Sequence, residues 1–347
     1  MSIGVHAAPV TAVGVSRTNS QRTLWLMGLV ALLASVAVAS LFVGSGVITP
    51  AEVWRALMHG GTDTTALLIN DFRVPRMLIG IVVGAALGLA GALIQVVTRN
   101  PLADPGILGV NSGAYLAVVI AVTWFGATGV SSYVWWSFLG ALLVSAAVYF
   151  IGWSRVAGVT PVRLVLAGVA VSYLLNGVSV GITLSNPAVF DKIRYWSAGS
   201  LQGRQLDILL GVLPFLVIGI LIALVLANSL NAVALGDDLA TSLGAHPLRI
   251  RIISLLAITL LCGAATAAVG PIAFLGLMAP YIARSVVGPD QRWLIALTAV
   301  IAPIIFLLAD VLGRVLAPGE VPVGLVTAFV GAPLLVILIR ASKAKSL

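Results

Sequence analysis

The sequence predicts an all-α, polytopic membrane protein, and three observations lead to this prediction. The chain of 347 residues is 60% hydrophobic with a mean hydropathy of +1.14, and only 9% of its residues are charged. A soluble domain averages about 45–50% apolar and about 25% charged residues. The apolar residues also gather in runs of about 20, the length that an α-helix needs to cross a bilayer. Because a soluble fold needs a polar exterior, lipid is the natural solvent for this chain.

The apolar runs define ten predicted transmembrane helices. They cover residues 24–43, 75–97, 106–125, 135–153, 162–184, 206–228, 252–268, 273–288, 293–312 and 322–340. A single helix over 252–288 would be too long for one crossing. Since Pro271 has no backbone N–H, we expect the chain to break there into a tight helical hairpin. Residues 24–347 are thus predicted to form one ten-helix transmembrane domain, preceded by a cytoplasmic N-terminal segment, 1–23.

The distribution of lysine and arginine predicts the orientation of these helices. With the N-terminus inside, 12 of the 19 basic residues fall in inner segments and seven fall in outer segments. The inner set is Arg17, Arg22, Arg99, Arg155, Arg163, Arg249, Arg251, Arg284, Arg292, Arg340, Lys343 and Lys345. The outer set is Arg55, Arg73, Arg76, Lys192, Arg194, Arg204 and Arg314. We therefore expect a multi-pass protein of the cell membrane with both termini in the cytoplasm.

A cleaved signal peptide is the alternative interpretation of the first apolar segment. Basic residues precede it, and Ala37-Val38-Ala39 resembles a cleavage site. Its apolar run is longer than the usual core of a signal peptide, and cleavage would leave an odd number of spans. The transmembrane interpretation is therefore favoured.

Two short matches indicate an internal repeat. The segment 101–106 resembles 271–276, and 161–165 resembles 322–326. Each match opens a predicted helix, and the two members of a pair start on opposite faces of the membrane. This pattern is typical of the inverted repeats that build many transporters.

Several kinds of activity are excluded by what the sequence lacks. No phosphate-binding loop of the G-x-x-x-x-G-K-[ST] type is present, so this chain has no ATP site of that kind. The basic residues form no patch that would bind nucleic acid. The three histidines lie outside the predicted spans, and no Cys/His cluster could hold a metal. We expect no bound cofactor, no metal site and no catalytic residue, and an inert, buried Cys262.

A secondary transporter and a channel are the rival classes. Proton- or ion-coupled transporters usually need ionisable groups or broken-helix ion sites at the midplane, and the nearest acid, Asp310, lies close to the outer end of a span. A channel would need a charged ring or a filter motif, and the sequence shows neither. Co-purification of an ATPase subunit would separate an ATP-driven transporter from both rivals.

One inner loop contains a short amphipathic helix. Leu235, Leu239 and Leu243 recur every four residues, while Asp237 and Asp238 favour a helix start. Gly244 can end the helix. Such a helix outside the bilayer lies on lipid or docks a partner, and two acids without basic residues favour a protein partner.

The polar residues inside the spans allow two interpretations. Ser172, Asn176 and Ser179 lie in the fifth predicted span and are candidates to line a transport pathway. They could equally bond neighbouring helices. Gly80, Gly84 and Gly88, at four-residue spacing in the second span, indicate close helix packing.

Seven stretches of the chain resemble the FecCD/BtuC family, the permeases of importers for iron–siderophores, haem and cobalamin. They are 73–76, 91–95, 100–109, 235–244, 270–280, 308–314 and 320–324. Within the family the chain is most similar to the ferric enterobactin permease subunits, through 186–187, 194–200 and 315–320. It departs from many members at Tyr281, where a histidine commonly follows the proline.

The resemblance implies a BtuC-like fold, that of the type II ABC importers, and a set of partners. The partners are a second permease subunit, two ATPase subunits that bind ATP-Mg, and an extracytoplasmic substrate-binding protein. A heterodimer of permeases is favoured over a homodimer. The implied cargo is an iron(III)–siderophore complex, with a catecholate type favoured and with haem or cobalamin as alternatives.

The resemblance also implies roles for particular residues. The coupling helix that docks the ATPase matches 235–244, with contacts from Leu235, Gly236, Leu239, Ala240, Leu243 and Gly244. Apart from the resemblance, the loop around Asn100 and Leu102 is predicted to form the cytoplasmic gate, because two prolines stiffen it and it joins two spans at the inner face; a plain tight turn is the alternative. Arg73, Arg76 and Arg314 would dock the binding protein. The alternative is local: Asp310 would pair with Arg314 one turn later, and Asp71 would neutralise Arg73 or Arg76.

Overall fold

Long α-helices make up most of the structure, a computed structural model that describes residues 18–44, 48–61, 63–154, 158–159, 161–317 and 319–344. The α-helices are α1 (Asn19–Phe42), α2 (Pro50–His59), α3 (Thr64–Leu67), α4 (Val74–Thr98), α5 (Val110–Trp124), α6 (Val130–Gly152), α7 (Pro161–Ser185), α8 (Pro187–Ser197), α9 (Leu206–Ala234), α10 (Asp237–Ser242), α11 (Pro247–Val269), α12 (Leu275–Val287), α13 (Gln291–Leu316) and α14 (Val323–Ala344). A π-helical turn, Leu68–Arg73, leads into α4, and a 3-10 turn, Pro105–Leu108, precedes α5. The two-residue strands β1 (Trp153–Ser154) and β2 (Gly158–Val159) pair antiparallel between α6 and α7.

The all-α membrane architecture predicted from the sequence is confirmed, and each of the ten predicted spans is a helix. In the described part of the chain, seven helical segments are long and apolar enough to cross a membrane by themselves. The other three spans are the shorter apolar helices α5, α12 and the first part of α14, Val323–Ile337. The 13-residue α12 is only about 20 Å long at 1.5 Å per residue. The first 17 residues of the predicted N-terminal segment, and also Arg155 and Lys345, lie outside the described residues.

The centre of the molecule is formed by α4, α11 and α13, which are the most buried spans. Gly84 and Gly88 let α4 approach α13 closely. A Cβ added at Gly84 would lie 2.8 Å from the Cα of Pro303, and one at Gly88 would lie 2.4 Å from the Cβ of Ala302. The packing role predicted for the glycine row is therefore confirmed. At the periphery, α1 and α7 bury only 22% and 17% of their most apolar windows.

The charged side chains gather at two opposite ends of the helices. At the end that carries α10, called the α10 end, Arg22 pairs with Asp290 at 3.4 Å, and Arg99 pairs with Asp237. At the other end, called the α8 end, Arg76 pairs with Asp310. This division matches the inner and outer sets of basic residues that the sequence predicts.

The predicted break before Pro271 is confirmed. Helix α11 ends at Val269, and α12 begins only at Leu275. Gly270 is left-handed (φ +83), and a Cβ there would lie 2.0 Å from the carbonyl oxygen of Trp196. The third span was predicted to start at residue 106, but regular α-helix begins at Val110, because the left-handed Gly109 (φ +75) separates it from the 3-10 turn.

Helices α5 and α12 are two of the three shorter spans, and both follow an irregular segment that is buried in protein. Ala103 and Leu108 are buried on the α5 side, and Ile272 is buried on the α12 side. Irregular backbone at membrane depth is tolerated only where protein or a water-filled cavity surrounds it. The sequence match between 101–106 and 271–276 places the two segments at corresponding positions of the inverted repeat.

Candidate functional site

The two irregular segments lie against each other. A Cβ added at Gly276 would lie 2.9 Å from Cδ of Pro105, and the Asp104 carboxylate beside it accepts a hydrogen bond from the backbone N–H of Gly106 at 2.8 Å. One helix turn further on, the Thr266 hydroxyl donates to Asn111 Oδ1 at 3.0 Å. Interrupted helices at corresponding positions of the two halves are the strongest pointer to a transport pathway that a repeat structure offers.

The closest backbone contact in this region is between α4 and the first turn of α12. A Cβ added at Gly91 would lie only 1.8 Å from the carbonyl oxygen of Gly276. No side chain fits this space, so the glycine is required for the two helices to meet.

We expect Gly91→Ala to lower the free energy of unfolding by about 1–3 kcal/mol, because the methyl group forces α4 away from α12. The matched control is Gly28→Ala on α1, where an added Cβ meets nothing within 4 Å. Thermal unfolding of the two variants in detergent compares them directly. Equal midpoints for both variants would contradict the close contact.

The α10 end presents an apolar ridge. Leu235, Leu239 and Leu243 are 61%, 57% and 68% exposed, while Ala240 between them is buried. The helix covers Asp237–Ser242 and is shorter than the predicted 235–244, because left-handed glycines flank it: Gly236 (φ +117) and Gly244 (φ +78). Three exposed leucines on and beside one short helix form a surface suited to a protein partner.

Arg99 connects this ridge to the predicted gate loop. Its guanidinium donates to the carbonyl oxygen of Val233 at 3.1 Å and to Asp237 Oδ1 at 2.5 Å. Asp237 also accepts from Arg251 Nη2 at 3.0 Å. The next residue, Asn100, accepts a hydrogen bond from the backbone N–H of Leu102 at 2.9 Å, and the Leu102 side chain is exposed. The loop and the start of α10 are thus joined by a shared carboxylate.

At the α8 end, the three predicted docking arginines surround one cavity of about 330 Å³. Arg76 binds Asp310 at 2.7 Å and Glu320 at 2.8 Å. Arg314 binds the other oxygen of Asp310 and donates to the carbonyl oxygen of Val43 at 2.9 Å. We call Arg76, Asp310, Arg314 and Glu320 the outer ion cluster.

The outer ion cluster tests the prediction that nearby acids, Asp310 and Asp71, pair with the three arginines. The predicted pair of Asp310 and Arg314 is present. The predicted neutralisation of Arg76 by Asp71 is wrong, because Arg76 reaches the carboxylates of α13 and of the following loop instead. Only 2% of the Arg314 side chain and 13% of the Arg76 side chain are exposed, and Arg73 donates to the Leu41 carbonyl oxygen at 2.6 Å. Docking of a binding protein stays a prediction.

The predicted pathway residues lie on α7, the least buried of the long spans. Ser179 is buried and donates to the Leu175 carbonyl oxygen at 2.8 Å, and Ser172 is half-buried. Asn176 is exposed, and we find no hydrogen-bond partner for it among the residues that the structure describes. An amide without a hydrogen-bond partner is unfavourable in contact with lipid, so we expect protein or water to cover this part of α7.

No group of three His, Cys, Asp or Glu residues in the described part of the chain could hold a metal ion. The free Cys262 is buried. The described residues thus form three features. They are the interrupted helices before α5 and α12, the leucine ridge at the α10 end with the loop that Arg99 joins to it, and the charged cavity at the α8 end.

A sequence model of the FecCD transport family matches residues 30–341, nearly the whole chain. The chain belongs to the FecCD transport family. This FecCD permease is 46% identical over 320 residues to the ferric enterobactin transport system permease protein FepD of Escherichia coli, covering 92% of this chain and 96% of that one. It is 35% identical to the siderophore transport system permease protein YfiZ of Bacillus subtilis, covering 94% and 98% of the two chains.

The FecCD permease also matches a solved structure, described as an inward-facing conformation of a metal-chelate type ABC transporter. The TM-score is 0.80 at 26% sequence identity, and the match covers 92% of this chain and 99% of that chain. The ten-span fold is therefore that of an ABC transporter permease.

Proposed function

We propose that this FecCD permease is the transmembrane subunit of an ATP-driven importer that carries an iron(III)–siderophore complex into the cytoplasm, a catecholate type being favoured. The observation that carries the proposal is the 46% identity to a ferric enterobactin permease over 92% of the chain. Relatives at 35–38% identity are described as siderophore, iron(III)-hydroxamate and iron(III)-citrate permeases. Haem and cobalamin are the alternative cargoes.

ATP hydrolysis belongs to separate subunits in this proposal, because the sequence has no phosphate-binding loop. Two ATPase subunits, each holding ATP-Mg, would drive a transport cycle in which the permease performs no covalent chemistry. Leu235, Leu239 and Leu243, which lie on and on either side of α10, form the docking ridge for one ATPase subunit. Burying these leucines on a partner supplies the affinity.

In this proposal the carboxylate of Asp237 links movement of the ATPase subunit to movement of the gate loop. Movement of α10 with its ATPase displaces Asp237, and Arg99 transmits that displacement to Asn100 and Leu102. The same loop continues into the segment in which Pro105 lies against Gly276. The gate therefore opens by moving the irregular segment of one repeat relative to that of the other.

A second permease subunit would cover α7. This helix leaves Tyr173, Leu174 and the amide of Asn176 exposed in the single chain. Pairing two permeases along this face would enclose a pathway between them, with Ser172 and Asn176 along its wall. A non-identical partner is favoured because the resemblance is to enterobactin-type importers.

The orientation follows from the positive-inside rule. We place the α10 end and both termini in the cytoplasm, and the α8 end outside the inner membrane. A binding protein would then dock over the cavity that Arg73, Arg76 and Arg314 line. Arg–carboxylate pairs are bidentate and directional, so acids on the binding protein would set the delivery orientation.

Uptake in a deletion strain tests the proposed function. We expect a strain that lacks this gene to lose growth on ferric enterobactin as its sole iron source, and the intact gene to restore it. Growth on haem iron, and cobalamin-dependent growth, serve as controls and should not change. Normal uptake of ferric catecholates by the deletion strain would contradict the proposal.

A further inference from the structure

A second cavity at the α8 end lies beside the outer ion cluster. Its volume is about 410 Å³, and it is lined by Thr128, Gly129, Tyr133, Lys192, Tyr195, Trp196, Ser200, Gln202 and Arg204. Gln202 also lines the cavity of the outer ion cluster, so the two cavities adjoin. The volume falls in the range of about 300–1,000 Å³ that is usual for sites of drug-sized ligands.

The charge in this second cavity is not balanced by the protein. Arg204 is only 4% exposed, and its Nε donates to the carbonyl oxygen of Ser200 at 3.1 Å. Among the described residues no carboxylate pairs with Arg204 or with Lys192. Burial lowers the pKa of Arg204 to about 10, so the side chain is still a cation at neutral pH. A buried cation without a counter-ion is costly, and an anion bound in the cavity would remove that cost.

Three aromatic side chains also line the cavity: Tyr133, Tyr195 and Trp196. Tyr195 is 60% exposed, while Tyr133 and Trp196 are 4% and 2% exposed. Aromatic rings favour offset-stacked or edge-to-face contact with another aromatic ring, so a ligand that carries a ring fits these walls.

We propose that this cavity binds one ring-bearing anionic arm of the incoming chelate, with catecholate oxygens against Lys192 and Arg204 and with its ring against the tyrosines. A ferric catecholate has the required chemistry, because its dianionic arms outweigh the charge of iron(III). The adjoining cavity is where the binding protein would deliver the complex. The inference rests on the proposed function and adds to it a first binding site on the permease.

Binding to the assembled transporter in lipid nanodiscs tests the site. The probe is a radio-iron-labelled ferric dihydroxybenzoate complex, and ferric citrate is the ring-free anion for comparison. We expect Arg204→Gln to weaken probe binding about tenfold or more, and Lys192→Gln to weaken it by a smaller factor. Arg55→Gln on α2 removes a cation from the same end without touching the cavity, and it should bind like wild type.

The outcomes separate this inference from the proposed function. If wild type imports ferric catecholates while Arg204→Gln and Lys192→Gln bind the probe as wild type does, the cavity is not the site, although the proposed function stands. Equal affinity of wild type for citrate and catecholate, or no binding of the probe, would also overturn the inference. If Arg204→Gln fails to fold, Lys192→Gln at an exposed position still decides it. Failure of wild type to import any ferric catecholate counts against both.

Discussion

Asp310→Asn is expected to lower the free energy of unfolding by about 3–5 kcal/mol, one of the largest effects of any single substitution in this chain. The Asp310 side chain is 1% exposed, and its two oxygens neutralise the guanidinium groups of Arg76 and Arg314. Asparagine keeps the shape but loses the charge and one acceptor oxygen. Glu320 is then the remaining carboxylate of the outer ion cluster, and among the described residues its ion pair is with Arg76.

The control for Asp310→Asn is Asp71→Asn. Asp71 lies at the same end of the molecule, is exposed, and makes no ion pair with any described residue. Exposed substitutions of this kind usually change stability by no more than about 0.5 kcal/mol. The two variants are compared by thermal unfolding in detergent. Similar midpoints would mean that the cluster does not stabilise the fold, and its arginines would then be free to serve docking alone.

Only part of the outer ion cluster could be predicted from local sequence patterns. The pair of Asp310 and Arg314 could be predicted because residues four apart share a helix face. The contact of Arg76 with the same carboxylate joins residues 234 positions apart, and no local pattern contains it. The link between Arg99 and Asp237, 138 positions apart, was missed for the same reason. Both contacts follow only from how the helices pack.

The spans could be predicted because hydropathy and proline chemistry act locally. The break before α12 follows from Pro271, and the α10 ridge follows from leucines at a spacing of four. Helix α8 was missed because it is too short and too polar to cross a bilayer. Its signal was present: Pro187 opens it, and its buried residues Val189, Ile193 and Trp196 are spaced as one helix face.

The second cavity beside α8 was missed together with that helix. Lys192 and Arg204 were assigned to outer loops from the sequence, and Arg204 was given no structural role. Lys192 lies on α8 and Arg204 lies in the segment before α9, and they line one cavity only once the chain turns between these two helices. Whether a buried arginine has a carboxylate partner depends on how the helices pack, and the spacing of residues in the sequence does not predict it.

Leu239→Asp should abolish transport-coupled ATPase activity while leaving membrane insertion and unfolding close to those of wild type. Leu239 is 57% exposed at the centre of the α10 ridge, so a carboxylate there is solvated in the free permease. In the docked complex the same carboxylate would be buried without a partner, which costs several kcal/mol. A loss of that size lowers the affinity for the ATPase subunit by a factor of hundreds or more.

Thr241→Asp is the matched control for Leu239→Asp. It adds the same charge to the same short helix, two positions on and so on the opposite side, where the Thr241 side chain is exposed. Co-purification with the ATPase subunits and ATPase stimulation by ligand-loaded binding protein measure the two effects separately. We expect Leu239→Asp to lose both and Thr241→Asp to keep both. Retained stimulation in Leu239→Asp would mean that the ATPase does not dock on the leucine ridge, and coupling would then have to reach Asp237 by another surface.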